Sequence, residues 1–312
     1  MKRKKIGLIG AGNIGGELAN LVVQKQLGDA VLFDIPQKEE FAKGKALDLE
    51  QASTQFGADS KVTGTSNWED LAGADVLIVT AGVPRKPGQS RDDLVGINLP
   101  IIRNVAENAK KYAPNAFSII ISNPLDAMVY EYHRVTGFDK SKVVGMAGVL
   151  DSARFSLFLA RESGQSVKDI RATVLGGHGD DMVPVLSATT VNGVPITKFV
   201  EKAKLDAIIA RTRTGGGEIV KLMGTSAYYA PAASAITMAQ AYLNDEKRLL
   251  PGAAYLDGQY GYSGFFIGVP VIIGGGGVEE IVVLDLTAEE KALLEKSVAS
   301  VQSVVDVVKK SS

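Results

Sequence analysis

The chain has 312 residues, 46% apolar and 22% charged, with 34 basic against 35 acidic side chains. A net charge of −1 offers no field for holding nucleic acid or an anionic membrane, and the lack of cysteine excludes disulfides, thiolate metal ligands and cysteine nucleophiles. The length suits two domains or one large α/β unit around a substantial core.

Lys2-Arg3-Lys4-Lys5 runs straight into an apolar strand at 5–9. No apolar h-region follows, so the basic run is a solvated strand start rather than a targeting signal, and a cytoplasmic location is expected. A helix over 13–24, a strand at 30–34, a helix over 38–55 and a strand at 76–80 come next. A helix over 94–112, a strand at 117–121 and a shorter strand at 143–146 complete the first half. Strand and helix alternate, which predicts a parallel sheet with helices on both faces.

Near residue 145 the character changes, giving expected units of 1–145 and 146–312. The second unit is expected to be α+β, with helices over 152–163 and 214–244. Its strands or hairpins are expected at 173–175, 191–195, 269–273 and 281–284, before a closing helix over 288–310 capped by Thr287. Residues 222–244 and 258–278 carry no charge. Pro231 in the first and the many glycines of the second argue for buried helix and buried strands rather than membrane spans.

Gly10-Ala11-Gly12-Asn13-Ile14-Gly15 lies between the first strand and the first helix. Alone, such a glycine pattern is also met in ordinary tight turns. Here Asp34 ends the next strand, where a carboxylate can accept from both ribose hydroxyls, and the helix N-terminus faces a pyrophosphate. The same carboxylate repels a 2′-phosphate, which favours NAD over NADP.

The loop from Ala81 to Asp93 follows a sheet strand at the edge where ligands bind in such folds. Its prolines, its glycines and the forks of Arg85 and Arg91 suit either a solvated surface loop or a lid over an anionic substrate; beside a nucleotide motif, the lid is favoured. Asn123, in Ser122-Asn123-Pro124, either bonds a substrate oxygen or simply makes a turn.

Asp151 and Arg154 share one helix face, as a surface ion pair or as part of a site. In the second case Asp151 pairs with the imidazole of His178, and Arg154 points at a substrate carboxylate. His178 stands in Gly176-Gly177-His178-Gly179-Asp180 and is one of two histidines in the chain. Its imidazole titrates near neutrality, and a carboxylate partner raises that value. His133, in a charged helix, is assigned a structural role.

Together these segments resemble the NAD-dependent lactate/malate dehydrogenase family over nearly the full length, and most closely its lactate dehydrogenase-like malate dehydrogenase branch. The resemblance rests on Gly10–Gly15 with Asp34, Thr80–Gly88, Ser122–Asp126, Leu150–Phe155 and Gly176–Asp180. It implies a Rossmann doubly wound sheet followed by the substrate domain, and reversible oxidation of (S)-malate to oxaloacetate in the tricarboxylic acid cycle. It further implies a homo-oligomer, tetramer or dimer, and no metal.

By the same resemblance His178 is the proton acceptor oriented by Asp151, while Arg91 polarises the reacting carbonyl. Arg154 and Arg85 clamp the two substrate carboxylates, and Asn123 holds substrate and histidine in place. Gly10, Ala11, Gly12, Asn13, Ile14, Gly15, Asp34, Asn98, Ile121, Ser122 and Asn123 contact the cofactor. Arg85 replaces the glutamine usual in lactate enzymes: a second carboxylate in a dry site needs a counter-ion, whereas the methyl of pyruvate would leave an arginine unpaired. Gln89 departs from the family pattern, where an apolar residue is expected. The rival readings are lactate dehydrogenase on the same scaffold and a non-catalytic NAD-binding regulator.

Overall fold

The computed structural model describes residues 3–84 and 91–311, without the side chains of Arg91 and Asp92. The first half runs β1 (Lys5–Ile9), α1 (Asn13–Gln24), β2 (Asp29–Phe33), α2 (Glu39–Phe56), β3 (Val62–Thr65), β4 (Val76–Val79), α3 (Arg91–Tyr112), β5 (Phe117–Ile120), α4 (Leu125–Thr136) and β6 (Val143–Gly145). These six strands are parallel, in the order β3-β2-β1-β4-β5-β6. The chain winds outward in both directions from the β1–β4 pair, so a crevice opens at their C-terminal ends. Buried on both faces, the strands show the near-continuous apolar runs of a covered parallel sheet. Ile6, Leu8 and Ile78 pack with Leu18 and Val22 of α1, whereas Leu77 and Val79 pack with Val95, Leu99 and Met128 of α3 and α4.

The second half runs α5 (Gly148–Ser163), β7 (Ile170–Arg171), β8 (Val174–Leu175), β9 (Val183–Pro184), β10 (Thr190–Val191), β11 (Val194–Pro195), α6 (Lys202–Met223), α7 (Tyr229–Leu243), β12 (Arg248–Asp257), β13 (Ser263–Gly274), β14 (Gly277–Ile281) and α8 (Ala288–Lys310). Phe155, Leu159, Ile170, Val174, Met182 and Leu205 close a separate core there. Strands β12 to β14 extend the first sheet antiparallel to β6, through Ala253 opposite Gly145, so one nine-stranded sheet runs through both halves. Thr287 caps α8 as expected, in a capping box with Glu290.

Several expectations from sequence are corrected. The single helix over 214–244 is two: α6 starts at Lys202 and stops at Gly224, whose φ of +71° glycine adopts freely, and α7 begins at Tyr229. Pro231 then falls in the first turn of α7, where its missing N–H costs nothing. As expected, the segment 191–195 forms a hairpin, of β10 and β11, turned by Asn192 and Gly193 with φ of +47° and +88°. Strand β14 ends where the expected 281–284 strand begins. Strands β3, β7, β9 and β12 are additional. The charge-free stretches are mostly α7 and β13, and among the described residues no helix is long and apolar enough to cross a membrane.

Candidate active site

The first cradle is built from the β1–α1 turn. Gly10 has φ of +112°, and a Cβ on Gly15 would collide with the Gly10 carbonyl, so both ends of the turn require glycine. A Cβ on Gly12 would meet nothing, so the space over the N-terminus of α1 is open. No side chain caps that end and no acidic residue lies in its first turn, which leaves the N–H groups of Asn13, Ile14 and Gly15 facing a site suited to an anion. Asp34, just past β2, accepts from the main-chain N–H of Ala11 and of Ile35, each at 2.8 Å. Ionised carboxylate oxygens retain further acceptor capacity, so ribose hydroxyls can still be bound. The turn, the helix end and the carboxylate together fit a dinucleotide.

Lys45 of α2, which sequence reasoning passed over, closes this cradle from the side. Its Nζ donates to the carbonyls of Ala11 and Gly12 at 3.0 and 2.7 Å. Burial holds its ammonium below the usual lysine value, against the opposing charge of Asp34. No periodic pattern marks it, because its partners lie on a turn more than thirty residues earlier in the chain.

At the ends of β4 and β5, Asn98 of α3 joins two loops. Its Oδ1 accepts from Val83 N–H at 2.8 Å, and its Nδ2 donates to the carbonyl of Asn123 at 2.7 Å. The side chain is 1% exposed, so Asn98 fixes the walls of the crevice through the backbone. The Ile121 N–H donates to the Val79 carbonyl, and Ser122 Oγ donates to the Ala81 carbonyl at 2.6 Å. The side chain of Asn123 stays exposed at the rim.

The second cluster brings α4, α5, α8 and the 176–181 loop together. His178 Nδ1 lies 2.9 Å from Asp151 Oδ2, and Arg154 Nη1 donates to Asp151 Oδ1 at 3.0 Å. Asp151 is 2% exposed and Arg154 14%, so the pair is not the surface ion pair weighed from sequence. Arg154 Nε is buried without a hydrogen-bond partner among the described residues, leaving part of the guanidinium fork unused. Gly215 of α6 makes room for it, since a Cβ there would stand 3.1 Å from Arg154 Cδ.

The loop carrying His178 is pinned by its backbone. The His178 N–H donates to Asp126 Oδ2 at 3.1 Å and the Gly177 N–H to Ser297 Oγ at 2.9 Å. Neither anchor was assigned from sequence, although Asp126 is the last residue of the Ser122–Asp126 motif. Burial alone would lower the His178 value, but the charge and hydrogen bond of Asp151, with the charge of Asp126, outweigh burial and the Arg154 cation and raise it. With Nδ1 engaged by Asp151, Nε2 is the atom left for proton exchange. His133 instead packs its ring on Tyr255 and Phe266, and burial lowers its value, consistent with the structural role expected.

Arg85 and Gln89 lie outside the described residues. For Arg91 the structure gives only its place at the first position of α3, and its side chain is likewise outside.

Residues 4–145 match the family model described as lactate/malate dehydrogenase, NAD binding domain, and residues 148–311 match lactate/malate dehydrogenase, alpha/beta C-terminal domain. The chain is 70% identical to a malate dehydrogenase of Sorangium cellulosum over 310 residues, covering 99% of each. Among solved structures it is similar to Cryptosporidium parvum malate dehydrogenase, at 49% identity and a TM-score of 0.96, covering 99% of both chains. It is also similar to Cryptosporidium parvum lactate dehydrogenase complexed with lactic acid and nicotinamide adenine dinucleotide, at 45% identity and a TM-score of 0.95, again covering 99% of both.

Proposed function

The chain belongs to the lactate/malate dehydrogenase family, and on that footing we infer that it is an NAD-dependent enzyme interconverting (S)-malate and oxaloacetate. The observation that carries this reading is the relay Arg154–Asp151–His178 around the buried Asp151, at 3.0 and 2.9 Å, in a chain 70% identical to a malate dehydrogenase. The fold is shared almost equally with a lactate enzyme, so backbone shape does not choose between the two acids.

Gly10 to Gly15 and Asp34 would hold NAD, with Asn98 and Ile121 to Asn123 forming the wall beside its nicotinamide. The nicotinamide so held would supply the acceptor for the hydride of the hydroxyl-bearing carbon. In malate oxidation neutral His178 takes the hydroxyl proton at Nε2, and Asp151 balances the imidazolium that results. In the reverse direction the imidazolium returns that proton to the forming alkoxide. The unused edge of Arg154 pairs with one substrate carboxylate, and Asn123 lies close enough in the chain to the crevice to orient the substrate. Arg85 is assigned the second carboxylate and Arg91 the carbonyl oxygen, both on the strength of the sequence motif.

In this reading residues 1–145 bind the cofactor and 146–312 bind the substrate. The enzyme is cytoplasmic, serves the tricarboxylic acid cycle and works as a homo-oligomer, tetramer or dimer. Exposed Phe41 and Leu47 on α2, Leu222 and Met223 at the end of α6, and Tyr229 at the start of α7, are apolar surface that such an assembly would cover.

His178→Asn tests the chemistry. Turnover in both directions is expected to fall by roughly 10²–10⁴, while quenching of protein fluorescence still reports NADH binding. Near-normal turnover would overturn the assignment of His178 as the base.

A further inference from the structure

We propose that Lys45 is a diphosphate-binding residue of the cofactor site: its ammonium offsets the charge of Asp34 and serves the two phosphates that join the halves of a dinucleotide. The inference rests on the reading of Gly10 to Gly15 and Asp34 as that site, and adds to it a residue that stands in none of the motifs.

Three sets of neighbours fix the ammonium on the glycine turn. Two of its three N–H groups go to the carbonyls of Ala11 and Gly12, at 3.0 and 2.7 Å. The ring of Phe41, one turn earlier on α2, lies 4.7 Å from Nζ, and a cation is favoured over an aromatic face. Gly16 gives the side chain room, since a Cβ there would stand 3.0 Å from Nζ and 3.5 Å from Cδ of Lys45. Gly16 lies within α1, beyond the glycine pattern of the turn.

Charge gives this position its meaning. Ala11 is held at both ends, its N–H by Asp34 Oδ2 at 2.8 Å and its carbonyl by Lys45. Asp34 alone would repel a diphosphate, as it repels a 2′-phosphate. The N-terminus of α1 answers that repulsion with roughly half an elementary charge. Lys43, on the same helix, is already met by Glu39 and Glu40. Lys45 brings a full positive charge to the turn whose N–H groups face the open space over Gly12, and it keeps one N–H unspent. Its bond to the Gly12 carbonyl also polarises the peptide whose N–H belongs to Asn13, which makes that group a stronger donor. A lysine that merely tied α2 to the turn would affect every adenosine-containing ligand alike; one that serves phosphate discriminates among them.

The full-length enzyme is titrated by calorimetry with ADP-ribose, which carries two phosphates. Adenosine, which carries none, is measured by its displacement of ADP-ribose. In Lys45→Met, ADP-ribose is expected to bind roughly three- to tenfold more weakly, while adenosine stays within about twofold of wild type. The salt dependence of ADP-ribose affinity should become shallower. Lys45→Arg, which keeps the charge, should recover most of the loss. If Lys45→Met does not fold, Gly16→Ala takes its place. That change keeps Lys45 but crowds its ammonium off the turn, and should weaken ADP-ribose by a smaller factor with adenosine unmoved.

An equal loss for adenosine, or no loss for ADP-ribose, would overturn the proposal and leave Lys45 a structural brace. Wild-type enzyme that takes up no ADP-ribose would instead overturn the reading of the cradle, and this proposal with it.

Discussion

The two binding regions of this molecule are assembled in opposite ways. The dinucleotide cradle is local: Gly10 to Asp34 form one strand–helix–strand unit, and Lys45 on the next helix braces it. The proposed proton site is dispersed. Asp126, Asp151, Arg154, His178 and Ser297 come from four separate elements and meet only when the second core closes against the sheet. A local site can be shaped by turn chemistry and a helix end, whereas a dispersed one must be held by buried hydrogen bonds between distant segments. The regions should therefore fail differently when altered.

The largest contrast is the one already drawn for His178→Asn, which should lose turnover and keep cofactor. Lys45→Met should show the reverse pattern, weakening NADH binding roughly three- to tenfold as two carbonyl hydrogen bonds to the glycine turn are lost, with kcat for oxaloacetate little changed. Equilibrium titration of NADH beside steady-state kinetics separates the two, and a Lys45 variant that loses kcat but not affinity would break the division.

A third change should leave the function of both sites untouched and act on stability alone. Glu131 of α4 is fully buried, bonded by Arg134 at 2.7 and 2.9 Å and also by Arg103, which donates in turn to the Ser311 carbonyl near the end of the last helix. Burial pushes the Glu131 carboxyl up, but the hydrogen bonds and charges of Arg134 and Arg103 hold it below the ordinary glutamate value. A carboxyl depressed on folding adds stability that is fully present above its unfolded value and is lost as pH falls through the folded one. Glu131→Gln should cost about 2 kcal/mol at neutral pH, because both guanidiniums remain partly solvated. It should also flatten the acid side of the stability curve without changing kcat/KM. Thermal denaturation between pH 3 and 7 checks this, and an unchanged acid limb would contradict it.

What was legible in the sequence follows the same division. The strand–turn–helix cradle, the parallel strands other than β3 and the Thr287 cap each carry a short-range signature, and the structure has them close to where they were expected. The Asp151–His178 pair was legible because both residues stand in distinctive motifs. Lys45 and Ser297 stand in no such motif, and Asp126, which ends the Ser122–Asp126 motif, shares with them partners that are backbone groups remote in sequence, which carry no residue identity to read. Strand β12 was hidden for a related reason. Its Pro251 and Gly252 read as breakers, yet Pro251 sits opposite Pro270 in an antiparallel pair, and the close packing of Gly252 leaves little room for a side chain. Three glycines in succession lie inside α6, and the first of them, Gly215, leaves room for Arg154, whose Cδ would stand 3.1 Å from a Cβ there.

The central claim is the choice of a dicarboxylic substrate, and it turns on Arg85. The ratio of kcat/KM for oxaloacetate to that for pyruvate, with NADH, tests it most directly. The wild-type ratio is expected to exceed one by roughly 10²–10⁴, the factor that an unpaired charge in a closed site would cost the wrong substrate, and Arg85→Gln should remove most of it. Equal or better use of pyruvate by the wild-type enzyme would contradict the account.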